Sequence, residues 1–356
     1  MSIKSFPLVF GMVVLVVIVV MSAGCELYQK ISMKMNLEPE LVKRGEDSPD
    51  SKKCGDCHND IYEEWTNSRH AKSYTNEEFK MSTNDYEFKF CLGCHIPETI
   101  FTTGVTDTSS EGYVKKEIKP RSHNLDEGVN CHSCHLTTDC ILAGPHSGMG
   151  PHPIEKKEEF YRTSDFCGRC HIDIFKEYMM YAVNGKEKTC QDCHMPAIKR
   201  KLIQVEPWQK IHIRREGKAH TFSSSDALKN NKDFIELTFT ELKENEEQIK
   251  GNVEILNSKV NHSIPTGKYG YREVLLLINL KDNFGRVIKS RQESMFIDMG
   301  TQLKPGEKKI YSFEFDIDNE NGVKELEAVL FKTNFNRTKK TLLAKVELGL
   351  GTPQKD

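Results

Sequence analysis

The hydrophobic pattern of this 356-residue chain changes character along its length. From Phe6 to Met21 nearly every residue is apolar, with Lys4 before the run and Ser22, Ala23 and Gly24 after it. Lys30 to Lys53 is polar and charged, as expected of a linker (residues 25–50). Near residue 222 the chain changes again. Seven runs then alternate apolar and polar residues, at 234–242, 247–256, 272–282, 286–297, 308–317, 324–334 and 341–349. They are rich in β-branched and aromatic residues, and turn signals such as Asp282–Gly285 and Asn319–Gly322 separate them. Period-two runs at this spacing predict an antiparallel, immunoglobulin-like β-sandwich over residues 226–356.

Between these regions lies a repeated motif. Cys-x-x-Cys-His occurs five times within 141 residues. The copies are Cys54/Cys57/His58, Cys91/Cys94/His95, Cys131/Cys134/His135, Cys167/Cys170/His171 and Cys190/Cys193/His194, and they use ten of twelve cysteines. The motif reads as a c-type haem attachment site. Two thiols at this spacing reach the two vinyl groups of one porphyrin, and the following histidine stands under the iron as its proximal ligand. Competing readings explain less. A zinc ribbon pairs two Cys-x-x-Cys units without demanding a histidine after each. A redox-active Cys-x-x-Cys occurs once, at a helix start in a βαβ context. A disulfide framework imposes no histidine either. Five covalent haems c are therefore expected in a domain spanning 51–222. Because haems fill its interior, that domain should be short helices and loops. The attachment sites are 37, 40, 36 and 23 residues apart, too close for the polypeptide to insulate each haem.

The amino terminus fits this chemistry, since covalent haem is attached outside the cytoplasm. A basic start, an apolar stretch and small residues make residues 1–24 an export signal. Ala23-Gly24-Cys25 resembles a bacterial lipobox, with Ser22 where leucine is usual, so Cys25 is a candidate for lipidation. An uncleaved anchor is the alternative, since about 17 residues begin to suffice for a span. Either way the protein is expected at a membrane, on its periplasmic or cell-surface side. A formal charge of −2 gives no reason to expect nucleic acid. Cys140 lies outside the motifs and reads as a buried or free thiol.

Each iron has a second axial position, and imidazole suits it. Eight histidines lie outside the fifth position of the motifs. His70 follows His58 by twelve residues on a helical stretch, so it points away from its own haem and serves another. His123 is a candidate for the second haem, and His220 and His262 for the third and fifth in either order. His132 and His212 read as solvated or structural. Met149, Met179 and Met180 read as gap fillers.

Several ordered segments carry a family resemblance. They are Trp65-x-x-Ser68-x-His70-Ala71, Gly128-Val-Asn-Cys131, His152-Pro153 ahead of Phe166-Cys167, Cys193-His194-Met195-Pro196 and His220-Thr-Phe222. Together they resemble the multihaem cytochrome c superfamily that includes the tetrahaem electron acceptor of hydroxylamine oxidoreductase, pentahaem nitrite reductases and filament cytochromes. Asn261-His-Ser-Ile-Pro-Thr-Gly267 resembles a signature of β-domains fused to such cytochromes, with Asn261 in place of the usual glycine. The resemblance implies that His70 caps the haem on Cys167/Cys170, and that His152, or failing that His146, caps the haem on Cys54/Cys57. It also implies that the second haem is five-coordinate unless His123 binds it.

The fold class expected is therefore α+β with two domains: a mostly α, irregular multihaem domain, then the sandwich. Three functions follow. An electron carrier between a quinol-linked donor and a further cytochrome or terminal reductase is favoured over an enzyme, since enough histidines are present to close every iron. Two histidines per iron favour a low potential, suited to anaerobic-type respiration. A reductase of a small nitrogen or sulfur oxyanion needs one open haem. Against it, no Cys-x-x-Cys-Lys is present and hydroxylamine oxidoreductases carry more haems. A filament subunit with the sandwich as docking module is the third reading.

Overall fold

The computed structural model describes residues 39–101, 104–108, 114–148, 150–182, 188–223, 234–245, 247–267, 271–317, 323–334 and 336–350. The expected signal segment, Cys25, Met149 and the Asn319–Gly322 turn lie outside these residues. Among the described residues no helix is long and apolar enough to cross a membrane.

The seven alternating runs become seven strands: β1 (Ile235–Glu244), β2 (Gln248–Asn257), β3 (Glu273–Asp282), β4 (Val287–Phe296), β5 (Lys308–Asp316), β6 (Val323–Thr333) and β7 (Lys340–Gly349). They form two antiparallel sheets, ordered β4-β3-β6-β7 and β5-β2-β1. In β2, Ile249, Val253 and Ile255 are fully buried, which is what period-two patterning requires of one inward face. Val274, Leu276, Ile278 and Leu280 of β3 meet them in one shared core. β3 lies between β4 and β6, so neither edge is free, and burial on both of its faces accompanies the apolar run Val274–Ile278. A constant-type immunoglobulin domain places its first, second, fifth and fourth strands in one sheet. Here the fourth strand pairs with the third instead. Between β3 and β4, Asp282 Oδ1 accepts the amides of Phe284 and Arg286 at 2.8 and 2.9 Å. Gly285 closes that turn at φ +75°.

At one end of the sandwich, the fully buried Glu273 accepts from Arg337, Tyr271, Ser294 and Thr333 at 2.6–3.0 Å. Burial alone would raise its pKa, but these donors hold the carboxyl down to about 2.

The preceding region is built differently. Its helices are short, the longest being Ile172–Tyr181, and two-stranded ladders such as Ala197–Lys201 with Arg214–Lys218 join them. The main cluster of buried apolar side chains lies wholly in the sandwich, from Ile235 onward. Among the described residues this region has no contiguous apolar core of its own, so it needs some other filling.

The end of the expected linker departs from expectation. Residues 39–50 form two 3-10 turns, Pro39–Val42 and Gly45–Asp47, packed on the region that follows. His132 fixes them, with Nδ1 against Ser48 Oγ and Nε2 against the Leu41 carbonyl, both at 2.9 Å. Arg44 donates to the Thr138 carbonyl at 3.3 Å and lies 3.6 Å from Glu98. The polar composition suggested a free tether. A buried histidine with both nitrogens partnered turns its second half into part of the domain.

Candidate haem sites

Each motif is built around a single turn of helix, and helical geometry explains the spacing. Residues at i, i+3 and i+4 share one helix face, so two cysteines and the histidine point the same way. The helices Ser51–Gly55, Leu92–His95, Cys131–His135, Asp165–Gly168 and Cys190–His194 supply these turns. Local caps start three of them: Asp50 accepts the Lys53 amide, while Asn130 and Thr189 form capping boxes with Ser133 and Asp192. In two motifs a glycine follows the first cysteine because an aromatic ring lies against it. A Cβ on Gly55 would stand 2.6 Å from Tyr62 Cγ, and one on Gly168 would stand 2.5 Å from Phe175 Cγ.

In the first and fourth motifs the helix stops before the second cysteine, Cys170 standing past Asp165–Gly168 as Cys57 stands past Ser51–Gly55. In the first the turn is nonetheless kept, because the amides of Cys57 and His58 both donate to the Cys54 carbonyl, at 3.2 and 2.9 Å. Cys57 is half-buried and forms no disulfide. Its carbonyl accepts the Gln204 amide at 2.9 Å, which ties this end of the motif to a segment 147 residues further along.

Four motif histidines face a second imidazole. Ring centroids are 6.5 Å apart for His58 and His152, 6.1 Å for His70 and His171, 6.3 Å for His135 and His220, and 6.4 Å for His194 and His262. This is too far for ring contact and close to what one iron requires. A metal–nitrogen bond of about 2.0 Å and about 1.1 Å from nitrogen to ring centre, counted on both sides, put opposed imidazoles about 6.2 Å apart.

The hydrogen bonds leave the same nitrogen available on most of these rings. Nδ1 of His58 bonds the Leu202 carbonyl at 2.6 Å, that of His135 the Ala143 carbonyl at 2.8 Å, and that of His95 the Ser73 carbonyl at 2.7 Å. On the facing side, Nδ1 of His220 lies 3.0 Å from the Lys218 carbonyl, that of His262 2.9 Å from Ser263 and that of His152 3.4 Å from Pro153. An Nδ1–H given to a carbonyl fixes the tautomer that leaves Nε2 free as a metal ligand. Burial holds all four pairs in the neutral, ligating form, with nearby imidazoles adding to it. It pushes His70 and His220 down to about 3 and His194 to about 4.

His95 differs. Among the described residues no imidazole lies opposite it; the Phe79 ring stacks on it at 3.7 Å, 8° from parallel. His123, expected as its partner, makes no ring contact with it among the described residues. Arg121 donates to the carbonyls of His123, Pro97 and Asn124 at 3.0, 3.1 and 2.7 Å, and His123 Nδ1 is buried without a partner. His146 faces no motif histidine; its Nε2 meets the Glu216 carbonyl at 3.0 Å. The charge that bears on both His95 and His171 is Arg272, from the start of the sandwich.

Cysteines of different motifs are neighbours. Side-chain contacts join Cys54 to Cys131, Cys94 to Cys170 and Cys167 to Cys190, and Cys134 bears electrostatically on Cys167 and Cys170. No disulfide joins the described cysteines. The attachment sites form a continuous series from Cys54/Cys57 through Cys131/Cys134 to Cys167/Cys170, branching there toward Cys91/Cys94 and Cys190/Cys193.

Two further devices position the ligands. Arg200 makes a bidentate pair with Glu64 at 2.7 and 3.0 Å, and Glu64 also accepts the His220 amide at 2.8 Å. The sandwich loop bearing His262 reaches across to Glu177, which accepts from Ser263 and, at 3.3 Å, from Thr266. Nothing in the sequence marks Glu64, Phe79 or Glu177 as special, because each acts through a contact distant along the chain.

Known proteins can now be compared. A family model described as cytochrome c554 and c-prime matches residues 53–136, which contain the first three motifs. A penta-heme cytochrome c552 from Thermochromatium tepidum is similar in structure, with a TM-score of 0.56 and 20% identity over 85% of this chain and 99% of that one. A putative beta-galactosidase from Bacteroides fragilis overlaps 33% of this chain and 16% of its own, at 13% identity and a TM-score of 0.21. No curated protein matches. The family model and the first structure support a multihaem c-type cytochrome, a class that the motif turns and facing imidazoles fit.

Proposed function

We propose that this chain is an electron-transfer cytochrome carrying five covalent haems c, four of them held between two histidines. The observation that carries the reading is the set of four imidazole pairs at 6.1–6.5 Å, each joining a motif histidine to a distant one. Haem supplies one-electron chemistry when bound. The chain's part is to hold the attachment sites in one branched series and keep eight imidazoles neutral. Low potential follows from the imidazole pairs. Residues 1–25 are read as the export and tethering segment, placing the domain on the outer side of a membrane. Its partners there would be a quinol-linked donor and a further cytochrome or terminal reductase. The sandwich, read as immunoglobulin-like, contributes a ligand through His262 and so belongs to the relay rather than hanging from it.

A second reading has one observation in its favour. Because no imidazole faces His95, the haem on Cys91/Cys94 is five-coordinate in this account, and Arg272 lies near enough to attract an anion. A small nitrogen or sulfur oxyanion could then be reduced there. Spectroelectrochemical titration of the holoprotein separates the two. The carrier reading predicts reversible reduction and reoxidation of all haems, and no sustained oxidation of reduced viologen on adding nitrite, hydroxylamine or sulfite. Steady turnover with any of them would transfer the assignment to the second reading.

A further inference from the structure

Ser73 touches two histidines that serve different haem sites. Its carbonyl accepts Nδ1–H of His95 at 2.7 Å. Its hydroxyl lies 2.7 Å from the His95 carbonyl and 2.8 Å from the His70 carbonyl, and accepts the Val129 amide at 3.1 Å. A hydroxyl has one proton, so it donates to only one of these carbonyls at a time. The alternatives are not equivalent. The His70 carbonyl has other donors, the Val129 amide at 2.9 Å and the Ser73 amide at 3.2 Å. No donor besides Ser73 meets the His95 carbonyl among the described residues. Backbone closes over the junction at Gly128, where φ is +58° and a Cβ would stand 2.4 Å from the His70 carbonyl and 2.5 Å from Ser73 Oγ. The Val129 amide, facing both the His70 carbonyl and Ser73 Oγ, ties that turn to the junction.

We infer that Ser73 is a positioning residue that couples the orientation of His95 to that of His70. A ligand arriving opposite His95 pulls on that imidazole and its Nδ1 bond. The hydroxyl then redistributes between the two carbonyls, and the His70 segment turns with it. This would make the site held by His70 and His171 responsive to the occupancy of its neighbour. The inference rests on the proposed axial roles of His95, His70 and His171, and the test keeps the two apart.

The probe is cyanide added to the fully oxidised holoprotein, read by low-temperature EPR, since low-spin g-values report the relative orientation of axial imidazoles. In the parent, cyanide should convert one high-spin haem to low-spin and also shift one existing bis-imidazole signal. In Ser73→Ala the conversion should persist and the second shift disappear. Ser68→Ala is the control: its hydroxyl accepts only the Ala71 amide, at 3.3 Å, in the same turn, and the shift should survive there. An unaltered shift in Ser73→Ala, or its loss in both variants, overturns the coupling role while leaving the ligand assignment intact. A parent that binds no cyanide overturns the assignment of His95 and the coupling with it.

Discussion

Changing both Cys167 and Cys170 to serine should give a chain with one covalent haem fewer than the parent and a haem region that melts far earlier. The reason is the position of this motif in the series. Cys167 contacts Cys190 and Cys170 contacts Cys94, while Cys134 bears on both. The associated imidazoles are buried, and the Phe222 ring meets His70 edge-on at 4.3 Å. Removing the group that fills this junction leaves a void bordered by three other attachment sites, with no apolar cluster among the described residues of the region to collapse into it. The cost should exceed the roughly 4–5 kcal/mol that marks an exceptional substitution. Intact mass and a pyridine haemochrome assay give the count, and circular dichroism melting gives the stability. The same double change at Cys91 and Cys94, on a branch, should remove one haem at a smaller thermal penalty. Equal penalties at the two motifs would contradict the branched order.

His262→Ala should leave the haem count unchanged and raise the number of carbon monoxide-reactive haems by one. The loop that presents His262 is fixed independently of its imidazole. Asn257, fully buried, donates to the His262 carbonyl at 3.1 Å and accepts the Val260 amide at 3.1 Å. Ile264 exchanges two backbone hydrogen bonds with Leu303, at 2.9 and 2.8 Å. Ser263 and Thr266 remain on Glu177. Truncation therefore opens a ligand position without unfolding the loop, and one low-spin signal should become high-spin. Added imidazole should restore it, because the pocket stays formed. An unchanged spectrum would mean that the sandwich supplies no ligand and is a hinged accessory.

Local patterns were legible in the sequence; long-range pairings were less so. Alternation placed every described strand of the sandwich within one or two residues, because each strand has an inward face in one shared core. The strand order was not legible: nothing within the fourth run says that it pairs with the third. The Cys-x-x-Cys-His turns could be read because one helical turn sets their chemistry. Their five copies look alike in sequence, yet the helix stops short of the second cysteine at Cys57 and Cys170 and contains it at Cys94, Cys134 and Cys193. Which imidazole meets which depends on tertiary geometry, and histidines far apart in the chain meet across the domain. His123 shows the limit. Its spacing before His135 made it a candidate ligand, but Arg121, four per cent exposed, fixes the His123 and Asn124 carbonyls, and among the described residues no ring contact joins His123 to His95. His132 shows the converse, an unremarkable motif-loop residue that anchors residues 39–50 through both ring nitrogens.

The most direct test is a carbon monoxide titration of the fully reduced holoprotein, with haem count and oxidised-state EPR taken on the same sample. Five haems per chain, one binding carbon monoxide and four low-spin and closed, is the predicted result. Binding at no haem, binding at two or more, or a count below five in fully matured protein would contradict it.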